Sequence, residues 1–419
     1  MINKTTCKNG VRIIHEKMPY VRSVAIGIWV KAGSLDETAD EWGLSHFIEH
    51  MLFKGTSKRN AKTIAEEFDR IGGDINAYTS KEMTCYYTTV LDHHAEKAIE
   101  ILSDMFFNSL FDEEDIQKER SVILDEIASV EDTPDDDVDE RLWSVMYPTH
   151  PIGRSIGGIK STIEKFDRKM IRRYMSRLYT PENIVISIAG NYDEKLIDSI
   201  GLQFDSFTEN EEIKHITDKP LPVFTSGLIT KQKDIEQAHI CIGYPGLSLR
   251  DNRLHDLILL DSIVGGTMSS RLFQEIREER GLAYSVFSYY SSYMMTGSFV
   301  VYGGTSPEHL GEMQSAMEKI IGEIKSKGVT ETELINAKEQ LKGSFLLGLE
   351  SSESRMHRNG KNELILHEHK SIDEVVALID NVTLNDVNRI AYETFTDERA
   401  ISIIAPKSAA LLPLNHMMK

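Results

Sequence analysis

The chain has 419 residues, of which 41% are hydrophobic and 27% charged, so it can form two or three domains with a packed core. Its formal net charge of −19 argues against a nucleic acid partner, because phosphate binding needs a basic surface. The three cysteines are widely spaced, which favours a reducing compartment. The sequence contains no apolar stretch typical of a signal peptide and no run of about 20 apolar residues. We therefore predict a soluble cytoplasmic protein without a membrane partner.

Strand and helix patterns alternate along the chain. The β-branched, apolar stretch 21–34 predicts a strand. Helical periodicity follows over 43–53 and 61–71, and the stretch 76–91, rich in Thr and Tyr, predicts one further strand. The segment Glu113–Asp132 predicts an amphipathic helix.

One unit of sequence occurs twice. Asp167 and Thr383, which are 216 positions apart, each precede an amphipathic helix, a short polar turn and a strand rich in isoleucine. The sequence "FKGT" at 53–56 pairs with "VGGT" at 264–267, with an offset of 211. This self-similarity predicts an internal duplication.

A charged, aperiodic stretch at 208–222 separates the two copies and has the composition of a linker. We therefore predict a boundary near residue 215, with an N-terminal catalytic domain over 1–215 and a C-terminal domain over 216–419. Each half mixes helices with strands that neighbour one another as in hairpins. The predicted fold class is α+β, with two similar domains that each have a mostly antiparallel sheet covered by helices.

The stretch "LSHFIEHMLFKGT" at 44–56 has the pattern of a metal site. His46 and His50 are four apart, so on a helix both imidazoles lie on one face. Glu49 is three positions after His46 and could take a proton from a metal-bound water without ligating the metal. This H-x-x-E-H order and its inverse both occur in zinc peptidases. The alternative is an ordinary helix that matches by chance.

A catalytic zinc site needs a third protein ligand. Glu119 and Glu126, which are seven positions apart, lie on one face of the predicted helix 113–132. Ile123, Leu124 and Ile127 surround Glu126, and a carboxylate in apolar surroundings needs a partner. The alternative is that both acids are simply solvated.

These motifs together resemble the pitrilysin-type inverzincin metallopeptidases, and most of all the mitochondrial processing peptidase branch and its bacterial homologues. The resemblance covers essentially the whole chain and includes "GSLDE", "GGDINAYTSKEMTCYY", "ERSVILDEI" and "SSRLFQEIREERGLAYSV". It implies that His46, His50 and Glu126 ligate one zinc ion per chain and that Glu49 is the general base. It also implies that Glu119 orients a ligand histidine.

In the second copy Leu257, Leu260 and Asp261 stand opposite His46, Glu49 and His50, so that copy cannot hold zinc in this way.

The resemblance gives the second copy a different task. It implies that Arg277 and Tyr284 contact the substrate carbonyl and stabilise the oxyanion. Without the resemblance, Arg277 would be assigned to a charged helix face and Tyr284 to a core strand.

The resemblance also implies a set of substrate contacts. Asn76 and Ala77 would begin a sheet-edge strand to which substrate adds. Phe53 would line the pocket after the scissile bond, although a core phenylalanine explains it nearly as well. Asp136 and Glu140, one helical turn apart in an acidic run, would grip an arginine before the scissile bond. The alternative is a solvated acidic loop.

We therefore predict a zinc metalloendopeptidase that hydrolyses peptides or unfolded segments. The resemblance further predicts a homodimer in which Arg277 and Tyr284 of one chain complete the zinc site of the other. The alternatives are a catalytically silent or regulatory subunit and a zinc hydrolase that acts on non-peptide substrates.

Overall fold

The structure, a computed structural model, describes residues 2–205, 207 and 220–409. These residues form two compact units, the first made of 2–128, 154–205 and 347–369, the second of 129–153, 220–346 and 370–409. The predicted boundary near residue 215 lies outside the described residues and stays a prediction.

Two sheets organise the described residues. Their strands are β1 (Ile2–Thr6), β2 (Arg12–Lys17), β3 (Ser23–Val30), β4 (Asp74–Thr79), β5 (Thr84–Leu91), β6 (Ile184–Gly190), β7 (Gly227–Gln232), β8 (Ala238–Pro245), β9 (Ala283–Ser292), β10 (Gly297–Thr305) and β11 (Ala400–Ala405).

The α-helices are α1 (Leu44–Leu52), α2 (Ala61–Arg70), α3 (Ala95–Asn108), α4 (Glu113–Asp132), α5 (Pro134–Met146), α6 (Lys160–Ile163), α7 (Arg168–Leu178), α8 (Glu194–Asp205), α9 (Leu254–Val264), α10 (Leu310–Lys327), α11 (Glu331–Gly348), α12 (Ser352–Lys361), α13 (Ile372–Asn381) and α14 (Leu384–Thr394). Two further segments, Phe273–Glu279 and Asn362–Leu366, are π-helical.

The two sheets share one topology. The first has the order β1-β2-β6-β3-β5-β4, and the second has the order β7-β11-β8-β10-β9. Each contains one parallel pair, β2 with β6 and β7 with β11, while the other neighbours are antiparallel. Apart from β1, the strands therefore correspond one to one. The predicted α+β class with two similar, mostly antiparallel domains is confirmed.

Each sheet is covered on both faces. In β3, Ile26 faces the first core, whereas Trp29 faces α12, where its ring lies 5.5 Å from that of His357. Gly27 lets α12 approach, since a Cβ there would lie 2.6 Å from Met356 Sδ. In the second unit α5 packs on β7, β8 and β11 in the corresponding way. Thus α12, from the C-terminal half of the sequence, covers the first sheet, and α5, from the N-terminal half, covers the second.

The predicted single strand over 76–91 is wrong, because this stretch forms the hairpin β4–β5. The polar residues 80–82 make the turn, in which the N–H of Ser80 donates to the carbonyl of Met83 (2.8 Å). The predicted caps are confirmed: Asp167 accepts from the N–H of Met170, and Thr383 accepts from that of Asp386. Within the described part of the chain, no helix has the length and apolarity of a membrane span.

Candidate metal centre

The first unit presents its polar motif on one side of α1. Five of its residues are buried in the first core: Leu44, Phe47, Ile48, Met51 and Leu52. Their spacing places an apolar stripe along the helix. His46, Glu49 and His50 lie on the remaining, partly exposed face.

Two helices bring three potential metal ligands together. The Nε2 atoms of His46 and His50 on α1 are 3.1 Å apart. Glu126 Oε2 on α4 lies 3.9 Å from the first and 3.6 Å from the second. Across the residues that the structure describes, this is the one group of such side chains whose ligand atoms all lie within 4.8 Å of one another. Two imidazoles and a carboxylate are a donor set that catalytic zinc takes, so the residues present fit this metal.

The two histidines differ in the direction of their pKa shifts and in their hydrogen bonds. Burial, together with the neighbouring His50, lowers the pKa of His46 to about 4, which keeps this imidazole neutral as metal ligation requires. His50 Nδ1 donates to Glu119 Oε1 (2.8 Å). Burial alone would lower the pKa of His50. The surrounding carboxylates, Glu119 foremost, have a larger opposite effect, so the net pKa of His50 is raised. The hydrogen bond to Glu119 leaves the Nε2 lone pair of His50 for a metal.

Glu119 is itself paired on both oxygens. It is 2% exposed, and its second oxygen, Oε2, lies 2.5 Å from Lys54 Nζ. A buried carboxylate of this kind needs such partners to remain charged. Sequence reasoning missed Lys54, although it belongs to the quoted motif and stands two positions beyond the end of α1, on the side of Glu119.

Glu49, the predicted general base, is partly buried and hydrogen-bonded to β4. Burial raises its pKa above the usual range for a glutamate, and its Oε2 accepts from Thr79 Oγ1 (2.5 Å). Such a shift brings a carboxylate closer to the working pH of a general base. Sequence reasoning also missed Thr79. Alternation along β4 was the available signal, because it places Thr79 on the same face as Ala77.

The structure places Asn76 and Ala77 on β4, the end strand of the first sheet. The N–H of Ala77 donates to Asn76 Oδ1 (2.8 Å). Thr79, the contact of Glu49, ends the same strand, so the sheet edge leads to the polar face of α1. Phe53, directly after α1, is half-buried and packs against the first core.

In the second unit Arg277 and Tyr284 meet. The guanidinium carbon of Arg277 lies 4.7 Å from the ring centroid of Tyr284 and equally far from that of Phe273. Both distances are within cation–π range. Tyr284, on the end strand β9, is 79% exposed. The alternative interpretation, in which Tyr284 is a core residue, is therefore wrong.

The acidic run divides into buried and exposed members. Asp136 and Glu140 are both exposed on α5, one turn apart. Asp137 is buried and pairs with Arg141 (2.7 Å) and Lys231 (2.6 Å). The run is therefore not uniformly solvated, and the pair assigned to arginine recognition belongs to its exposed part.

The second copy of the motif lacks the pair of histidines found in the first. Leu257 and Leu260 of α9 are fully buried in the second core. Asp261, opposite His50, accepts from Ser288 Oγ (2.6 Å), and burial raises its pKa to about 6. The structure thus agrees with the prediction that this copy cannot hold zinc in the same way.

Comparison with known proteins places this architecture in a family. The profile of insulinase, peptidase family M16, matches residues 12–159, and the profile of the peptidase M16 inactive domain matches residues 165–341. The chain is 47% identical over 406 residues to the uncharacterized zinc protease YmxG of Bacillus subtilis, a match that covers 97% of this chain and 98% of the relative. This chain belongs to peptidase family M16.

Another relative is the uncharacterized zinc protease SCO5738 of Streptomyces coelicolor, which is 38% identical over 97% of this chain and 90% of its own length. A solved structure of a protease from Helicobacter pylori has a TM-score of 0.90, with 21% identity and 97% and 99% of the two chains covered. The structure of a peptidase M16 inactive domain from Pseudomonas fluorescens also has a TM-score of 0.90, at 18% identity, covering 98% and 99%. These two structures establish the shared fold, and the M16 assignment fits the pitrilysin-type resemblance.

Proposed function

We propose that this protein is a cytoplasmic, zinc-dependent metalloendopeptidase that hydrolyses peptides or unfolded polypeptide segments. The observation that carries the proposal is the convergence of His46, His50 and Glu126 with Glu49 beside them. The names of the relatives support zinc and proteolysis. The absence of disulfides among Cys7, Cys85 and Cys241 supports a reducing compartment.

In this proposal His46, His50 and Glu126 hold the zinc ion. A zinc ion held by these residues would polarise the substrate carbonyl and would lower the pKa of water to about 7. Glu49 accepts the proton of the attacking water on a carboxylate oxygen and returns it to the leaving amine. Glu119 keeps the proton of His50 on Nδ1, and Thr79 holds one oxygen of Glu49.

Substrate would pair with the free edge of β4. Backbone hydrogen bonds would then supply affinity with little demand on sequence. This edge strand ends at Thr79, so a peptide paired with it would be led to Glu49. Main-chain recognition of this kind suits a peptidase that acts on unfolded segments.

Specificity is a finer part of the proposal. Asp136 and Glu140 would bind an arginine shortly before the scissile bond, and Phe53 would favour a large apolar residue just after it. A charge-assisted pair of this kind contributes about 1.5–3 kcal/mol, or roughly ten- to a hundredfold in kcat/KM. Asp136→Asn combined with Glu140→Gln should remove the arginine preference and leave arginine-free peptides almost unaffected. Equal cleavage of both peptide classes by the wild type would refute this assignment.

Assembly is a further part of the proposal. A homodimer would let Arg277 and Tyr284 of one chain stabilise the oxyanion at the zinc site of the other. Inactive Glu49→Gln chains should then recover activity when they exchange with inactive Arg277→Ala chains. If a confirmed mixed dimer stays inactive, each chain serves its own site.

The decisive test of the function combines zinc content with cleavage of a quenched peptide library. We expect about one zinc ion per chain and hydrolysis that a chelator abolishes, because the site offers three protein ligands. Absence of bound zinc would favour a silent or regulatory subunit. Bound zinc without peptide cleavage would favour a hydrolase that acts on non-peptide substrates.

A further inference from the structure

The two histidines of the candidate metal centre are supported unequally. His50 donates through Nδ1 to Glu119. The corresponding Nδ1 of His46 is buried and finds no hydrogen-bond partner among the described residues. Metal-bound histidines almost always donate their second ring N–H, and this contact orients the ring. His46 therefore depends on whatever fixes the backbone from which its side chain projects.

That backbone is the first turn of α1, and a buried carboxylate holds it. Glu37 is 4% exposed. Its Oε2 accepts from the N–H of Gly43 (2.8 Å), and its Oε1 accepts from the N–H of Ser45 (2.8 Å), the residue directly before His46. The first N–H groups of a helix have no partner within the helix, so these two bonds fasten the turn to the preceding segment.

The same turn is constrained on its other sides. Gly43 has φ +95°, and a Cβ there would lie 2.7 Å from the Cα of Gly158. Ser45 Oγ is hydrogen-bonded to the hydroxyl of Tyr174 (2.7 Å), which is also buried. Burial raises the pKa of Glu37 to about 8, against the opposing effect of the hydrogen bonds from Gly43 and Ser45. What matters for the turn is that both oxygens accept hydrogen bonds.

We propose that Glu37 is a positioning residue for the metal centre. By accepting hydrogen bonds from the N–H groups of Gly43 and Ser45, Glu37 fixes the backbone that positions His46, whose own Nδ1 has no hydrogen-bond partner among the described residues to orient the ring. This inference rests on the proposed zinc site and deepens it. It assigns the glutamate of the "GSLDE" motif a task that acts through α1 rather than through contact with metal or substrate.

The test measures zinc affinity directly, without a peptidase assay. Glu37→Gln keeps the size of the side chain but replaces one acceptor oxygen by an NH₂ donor. Loss of an outer contact of a metal ligand costs roughly 10–100-fold in affinity, and we expect about tenfold here because Glu37 acts through the backbone. The purified, metal-free chain is titrated with zinc in competition with a chromogenic chelator.

Glu41→Gln is the matched control. Glu41 lies in the same segment and is 1% exposed, but it accepts from the N–H of Thr38 (3.1 Å) and from Arg177 (2.7 Å) rather than from α1. The zinc affinity of the Glu41→Gln variant should stay within about twofold of the wild type, since this substitution leaves the contacts of the metal ligands intact. Cobalt-substituted protein gives a second readout, because partial loss of His46 should weaken the visible absorption of Glu37→Gln alone.

Unchanged zinc affinity in Glu37→Gln would overturn the inference, as would an equal loss in both variants, which would indicate a general effect of the segment. A wild type that binds no zinc would instead refute the proposed function. If Glu37→Gln fails to fold, Glu37→Asp takes its place. The shorter side chain of Glu37→Asp cannot reach both N–H groups, so wild-type affinity in that variant would also overturn the inference.

Discussion

The helices α1 and α9 occupy equivalent places in two sheets of the same strand order, yet they use one helix face in opposite ways. In α1 this face carries His46 and Glu49, which are partly exposed. In α9 the matching positions hold Leu257 and Leu260, which are fully buried. The face that is free for chemistry in the first unit has become part of the core in the second.

This difference separates what holds the fold together from what performs the chemistry. Both sheets form with the same order and the same single parallel pair, although only one copy has the ligand set. Apolar burial, which dominates folding free energy, is sufficient for the architecture. Activity then depends on a few polar side chains that add little to stability. Four predictions test this separation.

The largest effect is expected at Glu49. Glu49→Gln should lower kcat by about 10²–10⁴-fold or more, because an amide cannot take the proton of the attacking water. Zinc content should stay near that of the wild type, since Glu49 is not one of the three clustered ligands. Steady-state kinetics on a quenched peptide and metal analysis provide the two measurements. Glu66→Gln on the exposed face of α2 is the control, and more than a tenth of wild-type activity in Glu49→Gln would contradict the assignment.

The matching position in the second unit should behave in the opposite way. Leu260→Ala removes a fully buried side chain from the second core and should lower the free energy of unfolding by about 2–5 kcal/mol. Glu49→Ala, at the equivalent place in α1, should change it by less than about 1 kcal/mol, as is usual away from the core. Urea unfolding of both variants makes the comparison. Equal losses would mean that Glu49 has a structural task that the hydrogen bond to Thr79 does not reveal.

Much of this arrangement could be predicted from sequence because it depends on local spacing. His46, Glu49 and His50 share a helix face in any α-helix, whatever surrounds it. Asp167 and Thr383 cap their helices through contacts three residues away, which is why both caps were found. The lost ligands of the second copy were equally visible, since aligning the repeats needs no structure.

Other features depend on tertiary contacts that spacing does not encode. Lys54 was missed because its partner Glu119 is 65 positions away, and Thr79 was missed because its contact with Glu49 joins a strand to a helix. The exposure of Tyr284 was misjudged because β9 is an end strand, which an apolar pattern cannot reveal. The packing of α5 and α12 on the sheet of the other half was likewise invisible to a search for repeats.

Asp261, opposite His50, should make stability depend on pH. Burial raises its pKa from 3.8 to about 6. The folded state therefore holds this proton more tightly than the unfolded chain, and the resulting stability is present below about pH 4 and lost as the pH rises through about 6. Asp261→Asn avoids the buried charge and can still accept from Ser288.

The Asp261→Asn variant should match the wild type near pH 4 and exceed its stability at pH 7 by on the order of 2–3 kcal/mol. Urea unfolding at several pH values checks the difference between the two proteins, which cancels the titration of all other groups. A difference that does not change with pH would show that Asp261 titrates normally in the folded state.

The smallest effect is expected at Glu119, the carboxylate that His50 contacts. Asp261, which stands opposite His50 in α9, instead accepts from the hydroxyl of Ser288. Glu119→Gln should lower zinc affinity roughly 10–100-fold, because the amide weakens the hydrogen bond that keeps the proton of His50 on Nδ1. The chain should still fold and bind zinc at saturating concentration, since the three clustered ligands remain. Competition with a chelator measures the affinity, and Glu114→Gln at the exposed start of α4 is the control. Loss of a negative charge near a cation acts in the same direction, so unchanged affinity would remove both reasons for assigning Glu119 to the metal centre.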